Sequence, residues 1–248
     1  MSVWALADLH LSFGVADKKM DVFGPNWSEH PEKIRSHWLR LISPDDLVLL
    51  PGDISWAMHT EEAKCDLEWI DALPGTKVMI RGNHDYWWNS ISKVEKILPP
   101  SMHIIQNNAF RWKEITVCGA RMWDTPEYSF HPYINYHDNP RAKTLTHVDQ
   151  PVEAEKIFLR ELSRLELSLK AIPRDATTRL AMTHYPPIGA DLHLSRVSAL
   201  LEKYQISHCV FGHLHNVKPN ALPFGTKNGV TYTLTSCDYV DFTPVKIL

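Results

Sequence analysis

The stretch Val78-Met79-Ile80-Arg81-Gly82-Asn83-His84-Asp85 runs three apolar residues into a turn that carries an amide, an imidazole and a carboxylate. The triplet reads as a short buried strand and Gly82 as its break. The same grammar recurs on either side. The apolar run 3–7 ends at Asp8-Leu9-His10, and Leu47–Leu50 passes through Pro51 into Gly52-Asp53. Strand-like 179–182 is followed by Thr183-His184, and 209–211 by Gly212-His213-Leu214-His215. Helical patterns lie between them. Residues 29–41 space Ile34, Trp38 and Leu41 along one face. Residues 60–73 start at Thr60 as N-cap and stop at Pro74-Gly75, and 91–98 stop at Pro99-Pro100. Pro151 opens a strongly amphipathic helix over 152–170, with Phe158, Leu162, Leu165 and Leu169 on one face, and 195–204 is helical again. Further strands are expected at 102–106, 115–118 and 230–235. This alternation predicts an α/β chain with a largely parallel central sheet. Ligands bind such sheets at the carboxyl ends of the strands, so Asp8, His10, Asp53, Asn83, His84, His184, His213 and His215 are expected to converge.

Composition narrows the possibilities. With 248 residues, 44% hydrophobic and 22% charged, the chain is an ordinary globular one, long enough to bury a core. No repeat, low-complexity tract or linker divides it, so a single domain over residues 1–248 is expected. The net charge of −3 argues against a nucleic-acid-coating or membrane-surface protein. No apolar run approaches the ~18 residues of a membrane span, and Asp8 interrupts what would be a signal peptide. The four cysteines, Cys65, Cys118, Cys209 and Cys237, are scattered, which points to a reduced, cytoplasmic setting. The unusual count is 14 histidines, and histidine is both the commonest metal ligand and the commonest general acid–base.

Carboxylates, an amide oxygen and imidazoles, without thiolates, suit borderline-hard divalent ions. One carboxylate can bridge two such ions about 3.5–4 Å apart. The ordered blocks D-x-H, G-D, G-N-H-D, an isolated H and G-H-x-H resemble the calcineurin-like metallophosphoesterase superfamily. The resemblance implies a four-layer α-β-β-α sandwich with a dinuclear site at the carboxyl ends of the central strands. It implies Asp8, His10, Asp53 and His215 on a first metal, and Asp53, Asn83, His184 and His213 on a second, with Asp53 bridging. The metals would be manganese, iron, zinc or nickel, with manganese favoured. His84 is implied beside the leaving-group oxygen, and Asp85, closing the motif, is grouped with it as catalytic. The implied reaction is hydrolysis of a phosphomonoester or phosphodiester by a metal-bridging hydroxide, on a small phosphorylated molecule. The stretch Gly52-Asp53-Ile54-Ser55-Trp56 lacks the second Asp and the Arg of the superfamily's protein phosphatases, which argues against that branch. Arg81 matches a phosphate-contacting Arg there.

Beyond the blocks, Trp56, Tyr86, Trp87 and Trp88 follow ligand loops, and Trp123, Tyr128, Phe130, Tyr133 and Tyr136 fill an aromatic, turn-rich segment at 120–150. These rings either pack that segment onto the domain or wall the site for an apolar group. Segment 120–150 is expected to be a specificity lid, with Trp88, Arg81, Arg121 and Trp123 meeting substrate and Arg141 available for an extra phosphate. A nucleotide or nucleotide-sugar pyrophosphatase is the alternative chemistry. A nuclease would need a basic groove that no Lys/Arg run supplies, and a non-catalytic scaffold would tolerate gaps among ligands, of which there are none.

Overall fold

The computed structural model describes residues 1–15, 17–135, 151–221 and 224–248. Two sheets, not one, organise them. The first carries β11 (Val245–Lys246), β1 (Val3–Ala5), β2 (Leu47–Leu50), β3 (Thr76–Met79) and β4 (Met102–Ile104), in that order. The second runs β5 (Phe110–Trp112), β6 (Ile115–Ala120), β7 (Thr178–Thr183), β8 (His208–Phe211), β10 (Val230–Leu234) and β9 (Thr226–Lys227). The central pairs β1–β2, β2–β3, β3–β4, β6–β7, β7–β8 and β8–β10 are parallel, and β11, β5 and β9 are antiparallel edges.

The two-fold period of the strands explains the layering. Along β2, Leu47 and Leu49 face the second sheet, while Val48 and Leu50 face helices. On β7, Leu180 and Met182 point into the same inter-sheet layer and Ala181 points out of it. Val3, Ala5, Val78, Val117 and Val210 complete that layer. Over the outer face of the first sheet lie α1 (His30–Leu41), α2 (Thr60–Asp71) and α3 (Ile91–Ile97), which bury Ile34, Trp38, Leu67, Ile70 and Val94. Over the second lie α4 (Pro151–Lys170) and α5 (Arg196–Lys203), which bury Phe158, Leu165, Leu169, Val197 and Leu201. The result is α-β-β-α, with the central parallel strands apolar on both faces because each is covered twice.

Local details differ from the sequence reading. Thr60 is the first helical residue and His59 the N-cap; Glu62 accepts hydrogen bonds from the backbone N–H of Met58 (2.9 Å) and His59 (3.1 Å). Ala120 belongs to β6, so the irregular segment begins one residue later. Its described part is no loose loop. Met122 is fully buried, Trp123, Phe130, Tyr133 and Ile134 pack on the second sheet's outer cluster, and Ile134 bridges to Val217. Tyr136, Arg141 and the rest of 136–150 lie outside the described residues. All four cysteines are free. Among the described residues no helix is long and apolar enough to cross a membrane.

Candidate metal centre

The carboxyl ends of β1, β2, β3, β7 and β8 do meet. Four of the seven expected ligands have left-handed backbone: Asp8 at φ 59°, His10 at 47°, Asp53 at 53° and His213 at 72°. Such conformations are uncommon outside glycine and concentrate at functional sites. The packing is tight enough to exclude any side chain at Gly82, where a Cβ would collide with the Asp53 backbone and carboxylate. The sheets are stitched together beside the site: Ala7 N–H donates to Thr235 O (2.8 Å) and Cys237 N–H to Ala7 O (3.1 Å).

The donor atoms form a continuous chain. His10 Nε2 lies 3.3 Å from His215 Nε2 and 3.7 Å from Asp53 Oδ2, and His215 Nε2 is 3.7 Å from Asp8 Oδ1. Asp53 Oδ2 is also 3.5 Å from His184 Nε2, so this oxygen stands between the two histidines. Asn83 Oδ1 contacts His184 Nε2 (2.6 Å) and His213 Nδ1 (3.1 Å). Ligand atoms of Asp8, His10 and His215, and of Asp8, Asp53 and His184, each fall within 4.8 Å of one another. Asp8 therefore sits close to both groups, alongside Asp53.

The electrostatics fit bound cations. Burial raises Asp8 to about 7 against the pull of His215, and Asp53 adds to the rise. Burial likewise raises Asp53, opposed by His84. Burial, then the neighbouring histidines, drives His10 and His213 far down; His184 falls chiefly through burial, although Pro51 O opposes it. Two carboxylates thus share a buried space with His10, His184 and His213, whose rings burial keeps neutral, and His10 Nδ1 finds no partner among the described residues. His10 and His215 also aim their Nε2 atoms at each other across the centre. His184 is pre-set to ligate a cation: its Nδ1 faces Pro51 O at 3.0 Å, which leaves Nε2 as the free lone pair.

Near the centre the sequence reading missed Asp238, and it took Tyr86 only as a ring and not as a hydrogen-bonding hydroxyl. Asp238 Oδ1 lies 2.7 Å from His215 Nδ1, and its Oδ2 accepts from Asn216 N–H at 2.8 Å. Burial opposes a proton on His215, but Asp238, with Asp8 and Asp53 behind it, outweighs burial and raises the ring to about 9. Asp238 follows the end of β10 as Asp8 follows β1, so the strand-end signal was present one strand further on. The Tyr86 hydroxyl lies 3.3 Å from His84 Nδ1.

The remaining expected residues divide. His84 lines a cavity of about 340 Å³ with His10, His215, Trp27, Trp56, Met20 and Phe23. Burial lowers its pKa, although Asp53 opposes the shift. Asp85 is not open to any substrate. It is fully buried and accepts from five donors: Gly82 and Asp53 N–H on Oδ2, and Ile54 N–H, Ser55 N–H and the Trp87 indole on Oδ1. Its work is to lock loop 52–55 to loop 82–87. Burial raises it to about 6, with Asp53 adding to the rise. Trp87 and Trp88 belong to the core, at 0% and 1% exposure, and the Trp88 indole donates to Gln106 (3.0 Å). Trp88 is therefore a fixed, buried side chain and offers no open face.

Arg81 and Arg121 line a separate cavity of about 90 Å³ with Arg164, Asn89 and Gln106. Glu161, 1% exposed, pairs with Arg121 (3.2 Å) and Arg164 (2.7 Å). The ε-nitrogens of Arg81 and Arg121 are buried without a partner among the described residues. Trp123 lies 4.7 Å under the Arg121 guanidinium and 5.1 Å from the Tyr185 ring.

Residues 1–217 match the calcineurin-like phosphoesterase family. The solved structure of phosphopantetheinyl hydrolase (PptH) from Mycobacterium tuberculosis is similar at TM-score 0.59 and 14% identity, covering 100% of this chain and 95% of that one. TT1561 of Thermus thermophilus is similar at TM-score 0.50 and 12% identity, covering 99% and 97%. In sequence, the Gene 66 protein of Mycobacterium phage D29 is 32% identical over 84 residues, which is 34% of this chain and 40% of that protein's length.

Proposed function

The chain belongs to the calcineurin-like phosphoesterase family, and on that premise we propose that it hydrolyses a phosphoric ester of a small molecule. The observation that carries the reading is the shared position of Asp53 Oδ2 between His10 Nε2 and His184 Nε2, with Asn83 and His213 on one side and Asp8 and His215 on the other. Asp8, His10, Asp53 and His215 would hold one divalent cation, and Asp53, Asn83, His184 and His213 a second, with manganese the favoured ion. Such a pair supplies Lewis acidity to water and to the phosphoryl oxygens.

The chain's own residues do the rest. In hydrolysis the oxygen of water bonds to phosphorus, the ester P–O bond breaks, and the departing alkoxide takes a proton. His84, on the cavity wall beside His10 and His215, would supply that proton. Its backbone N–H is tied to Asp53 Oδ1 at 2.8 Å, and its Nδ1 is steadied by Tyr86, so the ring keeps a fixed bearing on the Asp53 carboxylate. Asp85 holds both loops in register, and Asp238 sets the bearing of His215.

The test is elemental analysis of protein purified without chelator, followed by turnover on a panel of phosphomonoesters, phosphodiesters, dinucleotides and nucleotide sugars. About two divalent ions per chain and hydrolysis of an ester are expected. A fully active protein with one ion, or a loaded protein inert on every substrate, overturns the reading. The arginine cavity favours a second possibility, cleavage of a nucleotide or nucleotide-sugar pyrophosphate, because three arginines face one carboxylate there. That reading predicts dinucleotide substrates far ahead of simple esters, and loss of the lead in Arg121→Gln.

A further inference from the structure

Resting on the phosphoesterase reading, we infer that the substrate is a phosphodiester with an apolar or aromatic group on each side of phosphorus, one for each of two cavities that flank the metal centre. The first is the cavity of about 340 Å³ that His10, His84 and His215 border. Its other walls are Met20, Phe23, Trp27, Trp56 and Asn216, and Trp56 stacks on His10 at 5.0 Å. The second, about 370 Å³, opens beside His213; Trp123, Tyr128, Phe130, Ile134 and Tyr185 form its aromatic and apolar side, and Thr125, Ser129 and His131 its polar side. Tyr185 lies 3.9 Å from the His213 ring. The two share no lining residue, and each has the volume of a small-ligand site. A phosphomonoester has one organic arm and would leave one aromatic cavity without a role. Charge points the same way. Neither lining contains a lysine or arginine, although the Arg121 guanidinium stacks 4.7 Å over the Trp123 ring behind the second, and that second lining includes Asp124. A diester brings one negative charge to this centre where a monoester brings two. His84 assigns the sides: the departing arm lies in the cavity of Phe23 and Trp56, and the retained arm in that of Trp123 and Phe130.

The experiment compares bis(p-nitrophenyl) phosphate, methyl p-nitrophenyl phosphate and p-nitrophenyl phosphate on the manganese-loaded enzyme. In parallel, tryptophan fluorescence measures the binding of diphenyl phosphate and phenyl phosphate. The diaryl ester is expected to lead both others in kcat/KM by about tenfold or more, the worth of roughly 1.4 kcal/mol from one further buried ring. Diphenyl phosphate should likewise bind about tenfold tighter than phenyl phosphate. Phe130→Ala should erase most of the preference for the diaryl over the methyl aryl ester. Phe23→Ala should lower kcat/KM on both and keep that preference. A monoester that outruns both diesters, or a preference untouched by Phe130→Ala, overturns the inference. If no ester turns over, the phosphoesterase reading falls by itself, and the binding comparison still decides: equal affinities for the two probes overturn the two-armed site.

Discussion

His84 and Asp85 are neighbours in one turn and do unlike things, because one side chain borders a cavity and the other is consumed by five N–H groups. A group that protonates a leaving oxygen matters most when that oxygen is a poor leaving group. His84→Ala is therefore expected to keep its metals and to lose about 10²–10⁴-fold on alkyl phosphoesters, with a much smaller loss on nitrophenyl esters. Equal losses on both, measured beside unchanged metal content, would contradict the acid role. Asp238 acts one step back, through His215. Partners that orient a ligating histidine are worth about 10–100-fold in metal affinity. Asp238→Asn should weaken the first ion by that order in a chelator titration and leave the second in place, whereas equal weakening of both would mean a general loosening of the site.

At the scale of elements, the segment after β6 is the one whose reading changed most. Its described rings are partly core: Trp123 and Phe130 pack on the second sheet's outer cluster, and the Tyr128 hydroxyl donates to Pro186 O at 2.6 Å. The same side chains wall the cavity beside His213. A specificity lid stays a proposal for this segment, and it makes a divided prediction. Trp123→Ala should raise KM about tenfold for a substrate that fills the cavity and spare p-nitrophenyl phosphate, with the far-ultraviolet circular dichroism unchanged. Unfolding, or an equal change on both substrates, would assign these aromatics to the core alone. On the opposite rim, residues 20–27 form two short 3₁₀ turns that bring Met20, Phe23 and Trp27 to the site. Nothing periodic marks them in the sequence, since 3₁₀ turns are too short to show a repeat.

The stability of the whole molecule should carry a titration unrelated to the metals. Asp66 of α2 accepts from Phe13 N–H (2.8 Å) and from the Ser55 hydroxyl, tying two loops to the helix layer. Burial raises it to about 6, although Ser55 and Phe13 oppose the shift. The native state then keeps this proton at pH values where the unfolded chain has lost it. Between the ordinary carboxylate range and about 6, the native state binds more protons, so stability contributed here falls as pH rises. Relative to the parent, Asp66→Asn should gain on the order of 1–3 kcal/mol between pH 4 and pH 7, read as a shift between urea midpoints. A midpoint gap that does not move with pH would remove Asp66 from this role.

What the sequence by itself determined is the chemistry that repeats at strand ends. Asp8, His10, Asp53, Asn83, His184, His213 and His215 each follow an apolar run, and in α/β chains that position means one edge in space. The parallel strands, most helices and the clustering of the donor residues were legible for that reason, because period and punctuation are local signals, whereas the short antiparallel edges β5, β9 and β11 were not. The split into two sheets did not follow from periodicity, since a strand buried on both faces reads the same whether helices or another sheet cover it. Side-chain destinations were tertiary decisions as well. Trp56 and Trp88 both follow ligand loops, yet one stacks on His10 and the other is buried with its indole on Gln106. Asp85 and Asp238 are both carboxylates near histidines, and only the fold turns one onto backbone amides and the other onto His215. The physical reason is the same in each case: residue type fixes what a group can bind, and packing at long sequence separation fixes what it meets.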